Sequence, residues 1–275
     1  MPKVGFYGAG KMAFAIVNNL LSAGLCLPEE VAVYDKFPPA LEKYAHLGVR
    51  ICRDFSSFVP LAEYVFICIK PQDYSALQEL RGHFETGTFV SIAAGISTQQ
   101  VCSLLGQTVP VVRVMPNTPL TLGEGAAAFC ANEEVSQEAL SFVKRVFESG
   151  GVAMQLPEEQ MNAVISVNGS SPAYVYLFAK SAVEYAAQTG IDPDIALQLF
   201  CQVLIGSAEM MLRSGQTLQE LIEAVSSKGG TTLAALQVLY DGGFETLVKQ
   251  AMAACTERAE ELAQQQKTGA VGGTR

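Results

Sequence analysis

Short apolar runs alternate with helical patterns along the first half of the chain. Val4–Tyr7, Val31–Tyr34, 64–69, 89–94 and Val111–Met115 are apolar almost without interruption, and a weaker run covers 49–52. Continuous rather than alternating runs suit strands buried on both faces of a parallel sheet. Patterns over 12–23, 39–47 and 136–149 predict helices between them. Strands separated by helices build right-handed βαβ units and a doubly wound α/β sheet. Runs at 126–129 and 152–156 are candidates for the last strands, with an antiparallel direction open to them.

After Pro157 the texture changes to helices without a convincing strand, at 158–167, 172–189, Pro193–Arg213, 218–225, 231–240 and 244–265. Pro172 and Pro193 stand where a helix can begin, and Gly190 and Gly215 where one can end. Ile195, Leu197, Leu199, Phe200, Val203, Leu204 and Ile205 nearly encircle one helix, which a single small bundle cannot cover. Burial against a second subunit is the simplest account. The expected organisation is therefore a dinucleotide-type sheet domain over 1–157, an all-α dimerisation domain over 158–265, and a flexible Gln-, Gly- and Thr-rich tail over 266–275.

The length of 275 residues allows nearly two domains and a core needing neither disulfide nor metal. The net charge is −9, with no basic half, so neither nucleic acid nor an anionic membrane is an expected partner. Seven scattered cysteines without a C-x-x-C pair read as reduced thiols, and two histidines cannot form a histidine-rich metal site. With no signal-peptide layout and no unbroken apolar run of membrane length, a cytoplasmic location is expected.

Gly8-Ala9-Gly10-Lys11-Met12-Ala13 follows the first strand and opens the first helix, fitting G-x-G-x-x-G/A. Such a turn lets a pyrophosphate approach the backbone and face a helix N-terminus; a merely structural tight turn is the alternative. Asp35 ends the second strand, where an acid accepts from both ribose hydroxyls of NAD, while Lys36 is placed for a 2′-phosphate. Ile69-Lys70-Pro71, Ala93-Ala94-Gly95 and the stiff Met115-Pro116-Asn117-Thr118-Pro119 lie at carboxyl ends of parallel strands, where ligands of such sheets bind. Ala93, Ala94 and Gly95 are small enough for a flat ring to approach. Ser226-Ser227-Lys228-Gly229-Gly230-Thr231-Thr232 joins two helices and aims N–H groups at the start of the second, an arrangement suited to a carboxylate or to a plain capped turn.

Together with Gly169-Ser170-Ser171-Pro172-Ala173-Tyr174, these blocks resemble the Δ1-pyrroline-5-carboxylate reductase family over nearly the whole chain. The resemblance implies a Rossmann domain, a helical domain interlocked with a second subunit, dimers that assemble further into rings, and reduction of a cyclic imine carboxylate to L-proline by NADPH or NADH. It assigns the cofactor to Gly8, Ala9, Gly10, Lys11, Met12, Asp35, Lys36, Ile69, Lys70, Pro71, Ala93, Ala94, Gly95 and Asn117. It assigns the substrate carboxylate to Ser227 and the N–H groups of Gly229, Gly230 and Thr231, a proton-relaying hydroxyl to Thr232, and a substrate-proximal place to Glu158, for which a first-turn helix acid is the alternative. No metal is implied. Two positions depart from the family pattern: Lys228 stands where Ser-Pro-Gly-Gly has proline, and Asp35 where NADPH-preferring members carry a small hydroxyl residue, which leans the choice towards NADH. Two rivals remain. A β-hydroxyacid dehydrogenase requires a lysine with an asparagine one helical turn on, but Lys180 is followed there by Glu184. A non-enzymatic dinucleotide sensor has no need of the 226–232 loop.

Overall fold

A computed structural model describes residues 3–57, 62–84 and 87–271. The apolar runs form eight strands: β1 (Val4–Tyr7), β2 (Val31–Tyr34), β3 (Arg50–Ile51), β4 (Tyr64–Ile67), β5 (Thr88–Ser91), β6 (Val111–Met115), β7 (Gly125–Ala131) and β8 (Gly151–Gln155). Their order is β3-β2-β1-β4-β5-β6-β7-β8. The first six are parallel, β7 is antiparallel to β6, and β8 is parallel to β7. β1, β4 and β5 are buried at every position, as strands covered on both faces are, with Thr88 and Ser91 the polar residues enclosed in β5. Helices α1 (Lys11–Ser22), α2 (Thr98–Leu105) and α3 (Gln137–Glu148) cover the sheet. One face packs Phe6, Ile16, Leu20, Phe66 and Phe147 together; the other packs Ile67, Tyr74, Leu77, Phe89 and Leu105. Each such side chain contributes roughly 1.5–3 kcal/mol on burial.

Several elements differ from the sequence reading. The expected helix over 39–47 is a 3₁₀ stretch, Pro38–Tyr44. A second 3₁₀ stretch, Pro71–Leu80, and α2 were not expected. The single helix expected over 158–167 is a 3₁₀ turn at Glu158–Gln160 and a π-helical turn at Ile165–Gly169. There Asn168 Nδ2 donates to the carbonyls of Met115 and Ala126 at 2.7 and 3.0 Å. One amide thus bridges β6 and β7 from the π-helical turn.

The remaining helices are α4 (Ser171–Gln188), α5 (Pro193–Arg213), α6 (Leu218–Ala224), α7 (Thr231–Asp241) and α8 (Phe244–Val271). α8 continues past Gln265, through residues with good helix propensity such as Gln266 and Lys267, so the expected tail is helical as far as Val271. The remainder of that tail, 272–275, lies outside the described residues. By contacts the chain divides into Met1–Ser170 with Ala254–Arg275, and Ser171–Ala253. In the second unit α4 packs on α5, with Phe178 and Phe200 edge to face at 5.3 Å. Ala196 is its one buried hydrophobic residue, while Leu177, Leu199, Val203, Ile205 and Leu212 are more than half exposed. α5 also has the length and apolar composition of a membrane-crossing helix.

Burial raises the proton affinity of core acids in the sheet unit. Tyr7 is pushed from an ordinary 10.0 up to about 12, and Cys26 from 9.0 up to about 11, both chiefly by desolvation. Tyr44, Tyr64 and Tyr74 are driven upward by the same cause. The folded chain then holds protons that the unfolded chain releases, so this stability is complete below pH ~9 and is lost as pH climbs towards 12. Denaturant midpoints measured between neutral pH and pH ~11 are expected to fall steadily above ~9; a flat profile contradicts this account.

Candidate cofactor and substrate sites

The glycine turn is fixed by the strand beside it. Gly8 has φ +108°, and a Cβ there would lie 2.7 Å from the Cys68 carbonyl carbon, which excludes any side chain. Gly10 is exposed, with open space where its Cβ would point. It precedes α1, whose N-terminus has no side-chain cap. The turn borders a cavity of ≈ 270 Å³ lined by Tyr7, Gly8, Gly10, Tyr34, Asp35, Lys36, Cys68, Ile69, Lys70, Gln72, Asp73 and Ala76. The cradle that a Cβ would fill, the uncapped helix start and the acid ending β2 fit a dinucleotide.

Six expected residues therefore come together here: Gly8, Gly10, Asp35, Lys36, Ile69 and Lys70. Asp35 is anchored at both oxygens, accepting from the Ala9 N–H at 2.7 Å and the Phe37 N–H at 2.9 Å. It thus ties the end of β2 to the glycine turn. Lys36 Nζ lies 3.3 Å from Asp73 Oδ1. Sequence reasoning missed Gln72, Asp73 and Ala76; their signal was their place just past Lys70-Pro71 at the carboxyl end of β4.

Other expected cofactor residues have different neighbours. A side chain at Gly95 would meet the backbone of α8, with the Ala259 oxygen at 3.2 Å and the Ala263 nitrogen at 3.3 Å. Close packing on α8, together with φ +75°, accounts for glycine at that position. Gln100 Nε2 donates to the Ala263 carbonyl at 3.1 Å and fastens the same contact. Ala93 is buried, and Ala9, Lys11, Met12, Pro71, Ala94 and Asn117 are not among the cavity residues. Asn117 is buried; its Oδ1 accepts from the Ala126 N–H at 2.9 Å and its Nδ2 donates to the Asn168 carbonyl at 3.2 Å. These bonds brace the loop after β6.

Glu158 was expected near substrate. Its carboxylate accepts from the Thr98 N–H at 2.8 Å and the Thr98 hydroxyl at 2.7 Å, at the first turn of α2. Arg113 Nη1 stands 3.9 Å away, and Arg113 Nη2 donates to Asn162 Oδ1 at 2.7 Å. Arg113 is 4% exposed, and burial lowers its pKa. The acid does face a helix dipole, but that of α2 rather than of its own turn.

In the second unit, the Gly230 N–H donates to the Ser227 carbonyl at 2.9 Å, closing the turn 227–230 with Gly229 at φ +78°. A positive φ at the third position marks a type II turn, whose second position favours proline. Lys228 occupies that second position. The Gly230 N–H is committed to the turn and is not among the free donors, a correction to the expected carboxylate contacts. Ser227, Thr231 and Thr232 are exposed, and Gly230 leads into α7 without a side-chain cap. Among the described residues no group of three or more His, Cys, Asp or Glu is placed to hold a metal.

Residues 158–262 match the family model for pyrroline-5-carboxylate reductase dimerisation, and 3–95 match that for coenzyme F420-dependent NADP oxidoreductase. Pyrroline-5-carboxylate reductase 2 of Bacillus subtilis is 30% identical over 268 residues, 96% of each chain. The chain belongs to the pyrroline-5-carboxylate reductase family. The Haemophilus influenzae reductase is 35% identical over 263 residues, 94% of this chain and 97% of its own. The crystal structure of the Plasmodium falciparum enzyme with NADP bound superposes with a TM-score of 0.88 at 26% identity, over 95% of this chain and 98% of that one. For this family member, the α/β sheet followed by a helical dimerisation segment is the expected architecture. Lys180, the residue on which the dehydrogenase rival rests, is an exposed partner of Glu184 at 2.6 Å.

Proposed function

We propose that this chain reduces 1-pyrroline-5-carboxylate to L-proline at the expense of a nicotinamide dinucleotide, with 1–157 binding the dinucleotide and 158–265 serving dimerisation and substrate. The observation that carries the reading is the Gly8–Gly10 turn, packed on the end of β4 and open to the Asp35 cavity, in a chain that aligns end to end with these reductases. Bound nicotinamide supplies the hydride. The residues of this chain bind and orient. Ser227 and the N–H groups of Gly229 and Thr231 hold the carboxylate of the imine. The Thr232 hydroxyl oxygen accepts from the protonated ring nitrogen, and that protonation makes the neighbouring carbon electrophilic. A neutral hydroxyl is a poor acid, so its work is to hold a substrate that is already protonated in water. Glu158 enters as a brace for α2 and Arg113.

Oxidation of NADH or NADPH that depends on pyrroline-5-carboxylate tests the reading. A chain that instead oxidises a 3-hydroxy acid, or binds dinucleotide without turnover, belongs to one of the rivals. Thr232→Ala is expected to lower kcat about ten- to a hundredfold, the worth of a hydrogen bond to a charged group. Dinucleotide Kd should stay at the wild-type value. Unchanged kcat/KM removes Thr232 from the mechanism.

The exposed apolar faces of α4 and α5 leave 171–253 without a core of its own, so an obligate homodimer through this segment is proposed, with higher rings built from it. A partner subunit also answers the membrane-like composition of α5. The location proposed is cytoplasmic, with no membrane or nucleic-acid partner. Sedimentation should give no species below a dimer at micromolar concentration; an active, stable monomer contradicts it.

A further inference from the structure

The charges around the cavity carry one inference more, resting on the reading that a nicotinamide dinucleotide binds there. In a turn of this kind the acid at the end of the second strand lies beside the ribose of the adenosine half. Here Asp35 is held in place by two backbone donors, and Lys36 follows it. Lys36 would be the natural counter-ion for a 2′-phosphate, but its ammonium is paired with Asp73, which lines the same cavity. Both partners are exposed, 72% for Lys36 and 38% for Asp73, so the pair contributes little to stability. Its consequence falls on the ligand. A phosphate arriving at this edge finds two carboxylates and a lysine already neutralised, whereas a ribose hydroxyl finds acceptors.

We propose that Asp73, which no motif of the sequence singles out, determines cofactor preference by engaging Lys36 and thereby disfavouring the 2′-phosphate of NADPH. Removing its charge releases Lys36 as well as relieving a repulsion, so Asp73→Asn should act on phosphorylated ligands selectively. Lys70 also lines the cavity and is exposed, so it is the competing cation.

The test is direct binding, read by fluorescence for NADH and NADPH and by calorimetry for adenosine 2′,5′-bisphosphate and AMP. Asp73→Asn is expected to tighten NADPH and the bisphosphate about five- to tenfold, with NADH and AMP within about twofold of wild type and with the gain shrinking in high salt. Most of the gain should vanish on the Lys36→Met background, where Asp73→Asn/Lys36→Met is compared with Lys36→Met and only the relieved repulsion remains. A gain that survives Lys36→Met undiminished assigns the effect to Lys70 or to simple repulsion and overturns the proposal, as does an equal change for both cofactors. Wild-type protein that binds neither nicotinamide nucleotide overturns the functional reading itself, a result separate from any effect of Asp73.

Discussion

Gly8→Ala is expected to abolish tight dinucleotide binding, whereas Gly10→Ala leaves the fold untouched. Gly8 sits at φ +108°, where an L-residue is strained by about 1–3 kcal/mol. Its Cβ would also stand 2.7, 2.8 and 2.9 Å from the Cys68 carbon, the Cys68 oxygen and the Ile69 nitrogen. All three are backbone atoms of the chain leaving β4, which is paired residue by residue with β1 and cannot withdraw. The turn must therefore move outward, carrying with it the Ala9 N–H that anchors Asp35 and the start of α1. At 1.4 kcal/mol per decade, a weakening of about tenfold to a hundredfold in NADH Kd is the minimum expected. Gly10 has φ −66°, which any residue adopts, and its Cβ would meet nothing within 4 Å. The Gly10→Ala protein should melt with wild-type Tm, so any loss of binding it shows reports on the space the ligand needs. Wild-type affinity in Gly8→Ala would falsify the structural account of the turn.

That contrast shows where the sequence was legible. The two glycines look equivalent in G-x-G, yet one is dictated by a strand and the other by open space. The parallel strands could be read because burial on both faces leaves few polar positions to interrupt the run, Ser91 and Arg113 being two that do. The cap of α2 was also written there: Ser97 and Gln100 form a reciprocal capping box, with Gln100 N to Ser97 Oγ at 3.1 Å and Ser97 N to Gln100 Oε1 at 2.7 Å. The helix itself is faint in the sequence because only Val101 and Leu105 mark its apolar face strongly. The packing of α8 on Gly95 could not be read because that helix lies more than 160 residues away in sequence. No local pattern records such a contact. The same holds for Asp73 beside Lys36 and for Glu158 on Thr98, where polar side chains of ordinary appearance acquire their roles from tertiary pairing. In 171–253 the helices were legible while a core was not, because the segment holds almost no buried side chains of its own.

Glu158→Ala is expected to destabilise the fold by ~2–4 kcal/mol, and Arg113→Met to recover part of that loss. The carboxylate does two things at once. It accepts two hydrogen bonds from Thr98 at the start of α2, where loss of a comparable cap costs ~1 kcal/mol. It also stands 3.9 Å from a guanidinium that is almost wholly enclosed. Asn162 Oδ1 bonds one Arg113 nitrogen but carries no charge, so without Glu158 the cation is left poorly compensated. The Glu158 side chain is 35% exposed, and water can enter when it is truncated, which keeps the expected loss below that of a fully buried pair. Arg113→Met replaces the stranded charge with an apolar chain of similar length on β6. Glu158→Ala/Arg113→Met should therefore lose less than the sum of its single variants, by ~1 kcal/mol or more. Thr98→Ala, which removes one hydrogen bond and leaves the ion pair, should cost ~1 kcal/mol. Urea unfolding at one fixed protomer concentration measures all four, since a dimer's apparent stability depends on concentration. Strict additivity of the double variant means that Arg113 does not depend on Glu158, and that the acid acts through α2 alone.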